Sequence, residues 1–95
     1  MVVMILERVP RRLRGMLSRW LIEPAPGIFV GHVSARVRDL LWDKCVRARQ
    51  TGGIIQIWST NNEQRFQMRV FGLRDRNLIF AEGLQLISIQ DKKRR

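Results

Sequence analysis

Residues 1–15, with the sequence MVVMILERVPRRLRG, place a short apolar run directly before a cluster of arginines. The run from Met1 to Leu6 has the length and apolar character of a buried β-strand. Pro10 is a favourable residue for the start of a helix, because its fixed φ suits the first turn and its missing N–H is not needed there. We therefore predict a strand that ends at Glu7 and a helix that begins at Pro10.

The arginines of this segment surround the predicted start of the helix, namely Arg8, Arg11, Arg12 and Arg14. A helix N-terminus already carries a partial positive charge, so cations at this place lower the local stability. Helix amides and guanidinium groups both bind phosphate well, and a bound anion would offset that repulsion. The segment therefore predicts a phosphate-binding site, and the alternative is a solvated helix face.

The composition of the chain favours the same partner. Its 95 residues include 18 lysines and arginines against 8 acidic residues, and the formal net charge is +10. A chain of this length forms one domain, which we place at residues 1–90, and residues 91–95 are expected to be a disordered basic tail. Such an excess of cations favours nucleic acid, bound in a salt-dependent way. An anionic membrane is the weaker alternative, since the sequence has no long apolar span.

Cysteine and histidine occur once each in the chain. One cysteine cannot form an internal disulfide, and one cysteine with one histidine cannot complete a tetrahedral zinc site. The opening apolar run is too short for a signal peptide and has no basic residues before it. We therefore expect a cytoplasmic protein without a membrane anchor.

The apolar periodicity predicts five strands and two helices. A strand over residues 1–6 is followed by a helix ending near residue 21, a strand at 28–30, a helix from Ser34 to about Gln50, and strands at 54–60, 65–71 and 84–89, with a loop over 72–83. This order predicts an α+β fold. The most economical arrangement is a ferredoxin-like sandwich (βαββαβ, two helices on one face of the sheet) with an extra C-terminal strand.

Two details of side-chain orientation also follow from the pattern. In the strand over residues 65–71, Phe66, Met68 and Val70 alternate with polar residues, so they are expected to face the core and Arg69 to face solvent. In the second helix, Leu40 falls on the predicted core face with its apolar neighbours, whereas Trp42 lies off it. An exposed tryptophan there would indicate a contact with a partner protein.

Several blocks of the sequence resemble a known family over nearly the whole chain. The blocks are VVMILERVPRRLRG at 2–15, IFVG at 28–31, VSA at 33–35, WSTN at 58–61, FGL at 71–73 and GL at 83–84. Together they resemble the small CRISPR-associated family Cas-two, and their spacing is similar to that of the type I-E subgroup.

The resemblance implies a ferredoxin-like homodimer that binds the integrase Cas-one and holds double-stranded DNA by its backbone during spacer acquisition. The family's phosphate-binding arginines map to Arg12 and Arg14, next to Arg11, and a second group maps to Arg76 with Arg74 beside it. The C-terminal strand of the family contacts Cas-one. That strand maps here to Leu84, Leu86, Ile87 and Ile89.

The role of Glu7 is left open by the sequence. Much of the family carries an aspartate at the matching position and has been described as a metal-dependent endonuclease. Glu7 and its symmetry mate would then be the catalytic and metal-binding residues that hold Mg²⁺, with RNA or DNA as the substrate. The alternative is that Glu7 pairs with Arg8 or Arg11. Composition alone also allows a basic RNA-binding domain of ribosomal type, so the sequence does not decide whether the chain is an enzyme.

Overall fold

The computed structural model describes residues 1–48, 50–73, 76–81 and 84–89, and of the last two segments it describes the side chains of residues 85–87 only. The predicted basic tail at 91–95 lies outside this part of the chain. The elements in chain order are β1 (Val2–Leu6), α1 (Arg11–Leu17), β2 (Ile22–Ala25), β3 (Ile28–Gly31), α2 (Ala35–Arg47), β4 (Ile54–Ser59), β5 (Phe66–Phe71), β6 (Arg76–Ala81) and β7 (Leu84–Ile89).

Strands β1 to β5 form one sheet with the order β2-β3-β1-β4-β5, in which every neighbouring pair is antiparallel. The first four strands and two helices have the βαββαβ order of a ferredoxin-like fold, and β5 adds an edge strand. The predicted fold class is therefore confirmed. Strands β6 and β7 form a separate two-stranded sheet, which we call the C-terminal hairpin.

The sequence did not predict β2 and β6. The residues of β2 were interpreted as the segment that terminates the first helix near residue 21, but that helix already ends at Leu17. Strand β2 contains Pro24 and lies at the edge of the sheet, the one place where a proline does not interrupt the hydrogen-bond ladder. Strand β6 lies within the segment that was predicted to be a loop.

Both helices cover the same face of the sheet. Val2, Met4 and Leu6 of β1 point to this face and are buried against a cluster from the helices. The other buried members of the core are Leu13, Leu17, Leu21, Phe29, Leu41, Cys45 and Ile54. Cys45 is fully buried in this core, and its burial raises the pKa of the thiol to about 12.

The face of the sheet without helices, which we call the open face, is apolar throughout the central strands. Its side chains are half-buried: Val3, Ile5, Ile28, Val30, Ile55, Ile57, Phe66, Met68 and Val70. The predicted orientation of β5 is therefore wrong. Met68 pairs with Ile57 on the open face, while Arg69 pairs with buried Gln56 on the helix face. Strict alternation defines two faces of a strand, but it does not say which one the helices cover.

Arg69 is stabilised on the helix face by a polar and aromatic cluster. Its Nε donates to Gln56 Oε1 at 2.8 Å, and its terminal nitrogen donates to Asp39 Oδ1 at 2.8 Å. Its guanidinium carbon lies 4.8 Å from the centre of the Trp42 ring and 5.1 Å from that of Trp58. Such cation–π contacts explain how an arginine is accommodated beside the core.

The predicted orientation of α2 is consequently wrong at two positions. Trp42 packs against the core, and Leu40 is 44% exposed. Relative to the prediction, the helix is rotated about its own axis, so that Trp42 faces the sheet together with Leu41 and Leu40 faces solvent. Trp42 is accommodated there because its ring contacts the guanidinium of Arg69, which is itself hydrogen-bonded to Gln56. Hydrophobic periodicity alone does not predict such a contact.

Candidate functional site

The arginine segment connects the end of β1 to α1, and Arg8, Arg11 and Arg12 are exposed. The helix begins at Arg11, with Pro10 as its N-cap residue, and it has seven residues. So short a helix has a small macrodipole, because the dipole sums over aligned peptide units. The guanidinium groups, and not the helix amides, are therefore the groups of this segment that can bind an anion.

Arg14 differs from the other arginines of this segment because its side chain forms an ion pair. Its Nε and a terminal nitrogen donate to the two carboxylate oxygens of Glu23 at 2.9 and 3.1 Å. Glu23 Oε2 also accepts the N–H of Gly27 at 3.0 Å, so the pair connects α1 to the β2–β3 turn. The predicted phosphate-binding residue thus already has an anionic partner. The sequence pattern gives no sign of this pair, because it predicts residues 23–27 only as the segment that ends the helix.

This ion pair makes stability depend on pH. The hydrogen bond from Arg14, followed by that from Gly27, lowers the pKa of Glu23 below its ordinary value of 4.5. Because the folded pKa is the lower one, the stabilisation is complete above pH 4.5 and is lost as the pH falls through the folded pKa. We expect the urea midpoint of the wild type to fall more steeply below pH 4.5 than that of Glu23→Gln. Parallel curves for the two proteins would contradict this role.

Arg11 and Arg12 differ from Arg14 in their ion pairing. Within residues 1–48 and 50–73, neither has a carboxylate partner. Arg12 borders a groove of about 410 Å³ between the two helices, and Lys44 of α2 lies on the same groove. We define Arg8, Arg11 and Arg12 as the basic patch, and Lys44 extends its positive charge across the groove.

Glu7 contacts the loop between α2 and β4. Its Oε1 accepts the N–H of Gly53 at 2.9 Å, and its own N–H donates to the Gly53 carbonyl at 2.9 Å. Gly52, with φ of 69°, lies against the same carboxylate, and a Cβ there would collide with Glu7 Oε1. Instead of the expected pairing with Arg8 or Arg11, the carboxylate caps a tight loop.

Substitutions of Glu7 separate this structural role from a chemical one. Glu7→Ala leaves the Gly53 N–H without its acceptor, and we expect a loss of about 1 kcal/mol in the free energy of unfolding. Glu7→Gln keeps an oxygen in the same place and should lose less than half of that. Urea unfolding measures both values. An equal loss in the two variants would show that the hydrogen bond to Gly53 is not what Glu7 contributes.

The remaining candidate residues lie near the end of the chain. Arg74 is outside the described residues, and Arg76 begins β6 with its side chain outside them. In β7 the side chains of Leu84 and Ile89 are likewise outside the described part. Leu86 and Ile87 are 41% and 37% exposed, so both present apolar surface to solvent.

Neither of the two helices, α1 and α2, has the length and apolar character needed to cross a membrane. The chain is similar to a protein-family model. The model described as CRISPR-associated protein (Cas_Cas2CT1978) matches residues 1–86, which include both helices, the five-stranded sheet and the basic patch.

Proposed function

Because the chain belongs to this CRISPR-associated family, Cas-two, we propose that it is the DNA-binding scaffold subunit of the complex that acquires new spacers. In this role a homodimer holds a short DNA duplex by its backbone between subunits of the integrase Cas-one. The basic patch is the observation on which the proposal mainly rests. The open face and the C-terminal hairpin supply the two protein interfaces that it needs.

The basic patch suits the phosphate backbone of a duplex. Arg11 and Arg12 are exposed and, among the described residues, have no carboxylate partner. Guanidinium groups bind phosphate oxygens in a bidentate way, and such contacts position a duplex without reading its sequence. The net charge of +10 adds a long-range attraction that weakens with salt. We therefore expect binding that does not depend on sequence and that depends on duplex length when Cas-one is present.

The open face supports a homodimer. Nine neighbouring apolar side chains from β1, β3, β4 and β5 are only half-buried there. Exposed apolar patches of this extent mark interaction surfaces, and a second copy of the same face is a self-complementary partner. A two-fold axis through this face doubles the basic patch, so one duplex can contact both copies.

Magnesium-dependent cleavage is the competing function. The described residues contain no group of three histidine, cysteine or acidic side chains that could hold a metal ion. Glu7 supplies one carboxylate, and one of its oxygens already accepts the Gly53 N–H. Mg²⁺ usually takes one or two carboxylates together with water and phosphate oxygens, so Glu7 would hold it only with its symmetry mate, and we derive no cleavage step.

A duplex-capture experiment tests the scaffold function. Purified protein is mixed with DNA duplexes of graded length and scrambled sequence, with and without Cas-one, and the bound fraction is measured. We expect binding that is indifferent to sequence and, once Cas-one is added, a sharp preference for one length. Selective binding of one sequence, or of a folded RNA in place of the duplex, would contradict the proposal.

A further inference from the structure

The C-terminal hairpin is attached to β5 by two glutamine side chains. Gln85 Oε1 accepts the N–H of Met68 at 2.7 Å, and Gln85 Nε2 donates to the Met68 carbonyl at 2.9 Å. In return, Gln64 Nε2 donates to the Gln85 carbonyl at 2.8 Å, and Gln64 Oε1 accepts the Gln85 N–H at 2.8 Å. We call this set of four hydrogen bonds the glutamine clasp.

The clasp imitates a β-ladder without continuing the sheet. A primary amide presents one acceptor oxygen and donor hydrogens, so it can pair with both backbone groups of one residue. Gln85 does this to Met68, and Gln64 does it to Gln85. Because β6 and β7 form their own sheet, these four bonds are the hydrogen bonds that join the hairpin to the body among the described residues.

Burial makes the clasp sensitive to substitution. Gln85 is 9% exposed, so water does not readily replace its contacts. Removing its amide leaves the Met68 N–H and carbonyl without partners, and unpaired buried polar groups are costly. Leu86 and Ile87 directly follow Gln85 in β7 and are both exposed, and because neighbouring residues of a strand point to opposite faces, they present an apolar pair with one member on each side of β7. Any rotation of the hairpin about the clasp therefore moves this apolar pair.

We infer that Gln64 and Gln85 are positioning residues, which hold the C-terminal hairpin in the orientation that lets β7 bind Cas-one. The inference rests on the proposed function, because it assigns the exposed pair on β7 to that partner. The clasp lies at β5 and β7, while the basic patch lies at α1. Because Arg76, a candidate DNA contact, begins β6, we expect loss of the clasp to weaken binding of Cas-one more than binding of duplex DNA.

The first test uses Gln85→Leu, which keeps most of the side-chain volume and removes both hydrogen-bonding groups. Gln67→Leu is the matched control, since Gln67 is exposed and adjoins Met68 in the same strand. Biolayer interferometry gives the Kd for immobilised Cas-one, and fluorescence anisotropy gives the Kd for DNA. We expect Gln85→Leu to raise the Kd for Cas-one about tenfold, because both hydrogen bonds from the Gln85 side chain to Met68 are lost, with the control unchanged.

The second test uses Gln85→Glu, which separates positioning from a general loss of stability. A protonated carboxyl has an acceptor oxygen and a donor O–H, so it restores both bonds to Met68, whereas a carboxylate repels the Met68 carbonyl. Relative to wild type at the same pH, we expect near-normal binding of Cas-one at about pH 5 and about tenfold weaker binding at about pH 8.

The outcomes distinguish the clasp from the proposed function. Normal binding of Cas-one by Gln85→Leu, or a pH-independent ratio for Gln85→Glu, would overturn the positioning role while leaving the scaffold function intact. Failure of the wild-type protein to bind Cas-one would overturn the scaffold function, and the inference with it. Amide hydrogen exchange at Met68 reports the clasp directly, and its protection should be lost in Gln85→Leu.

Discussion

Arg12→Ala is expected to weaken binding of a DNA duplex about 100-fold, whereas Arg14→Ala should change it by no more than about threefold. Each charge-assisted hydrogen bond to phosphate contributes about 1.5 kcal/mol, and a symmetric dimer loses two of them. Arg12 lies in the exposed basic patch, while the Arg14 guanidinium is already bound to both carboxylate oxygens of Glu23. Arg12 and Arg14 carry the same charge in the same short helix, but we expect only Arg12 to contribute strongly to DNA binding.

Fluorescence anisotropy over a range of salt concentrations measures this difference. Arg12→Ala should reduce the slope of log affinity against log salt by about 2, one phosphate contact per protomer, and Arg14→Ala should leave the slope unchanged. Arg14→Ala is the matched control, because it removes the same charge from the same helix. An equal loss in the two variants would show that net charge, and not the free guanidinium of Arg12, determines the affinity.

Ile57→Asp is expected to dissociate the proposed homodimer while leaving the protomer folded. Ile57 lies at the middle of the open face, where it pairs with Val3 of β1 and Met68 of β5. In a dimer formed through this face, each copy would bury a carboxylate without a partner. Burial of an ion costs several kcal/mol, so we expect the dimer Kd to rise about 1000-fold.

Sedimentation velocity over a range of protein concentrations measures the dimer Kd. Gln67→Asp is the control, because it places the same charge on the exposed helix side of β5 and should leave the dimer intact. Circular dichroism verifies that the Ile57→Asp protomer keeps its secondary structure. A dimer that survives Ile57→Asp would place the subunit interface elsewhere, and the doubled basic patch would then need another explanation.

Strand β1, a short apolar run, and helix α2, with its apolar periodicity, were predictable from local pattern, whereas β2 of the ferredoxin-like core was not. The orientation of the strands and helices was less predictable. Arg69 faces the helices because Gln56, Trp42 and Trp58 provide polar and aromatic partners from other elements. The sequence of β5 alone does not indicate these partners.

The parts of the site that the sequence did not reveal depend on contacts between distant residues. Glu7 meets Gly53 from 46 residues away, and Gln85 meets Met68 from 17 residues away. Arg14 and Glu23 are nearer in sequence, but their pairing depends on the β2–β3 turn, which was not predicted. Residue type suggested candidates for phosphate binding, and only the fold separated the paired arginine from those of the basic patch.

Integration of a DNA duplex into a plasmid that carries a CRISPR array tests the scaffold function most directly. Purified Cas-one is combined with the wild-type protein, Arg12→Ala or Glu7→Gln, and inserted duplexes are counted by sequencing. We expect Arg12→Ala to lose integration and Glu7→Gln to retain it, because the proposed function assigns duplex binding to Arg12, whereas Glu7 caps a loop. Abolished integration in a Glu7→Gln protein that still folds and binds DNA would contradict the scaffold account.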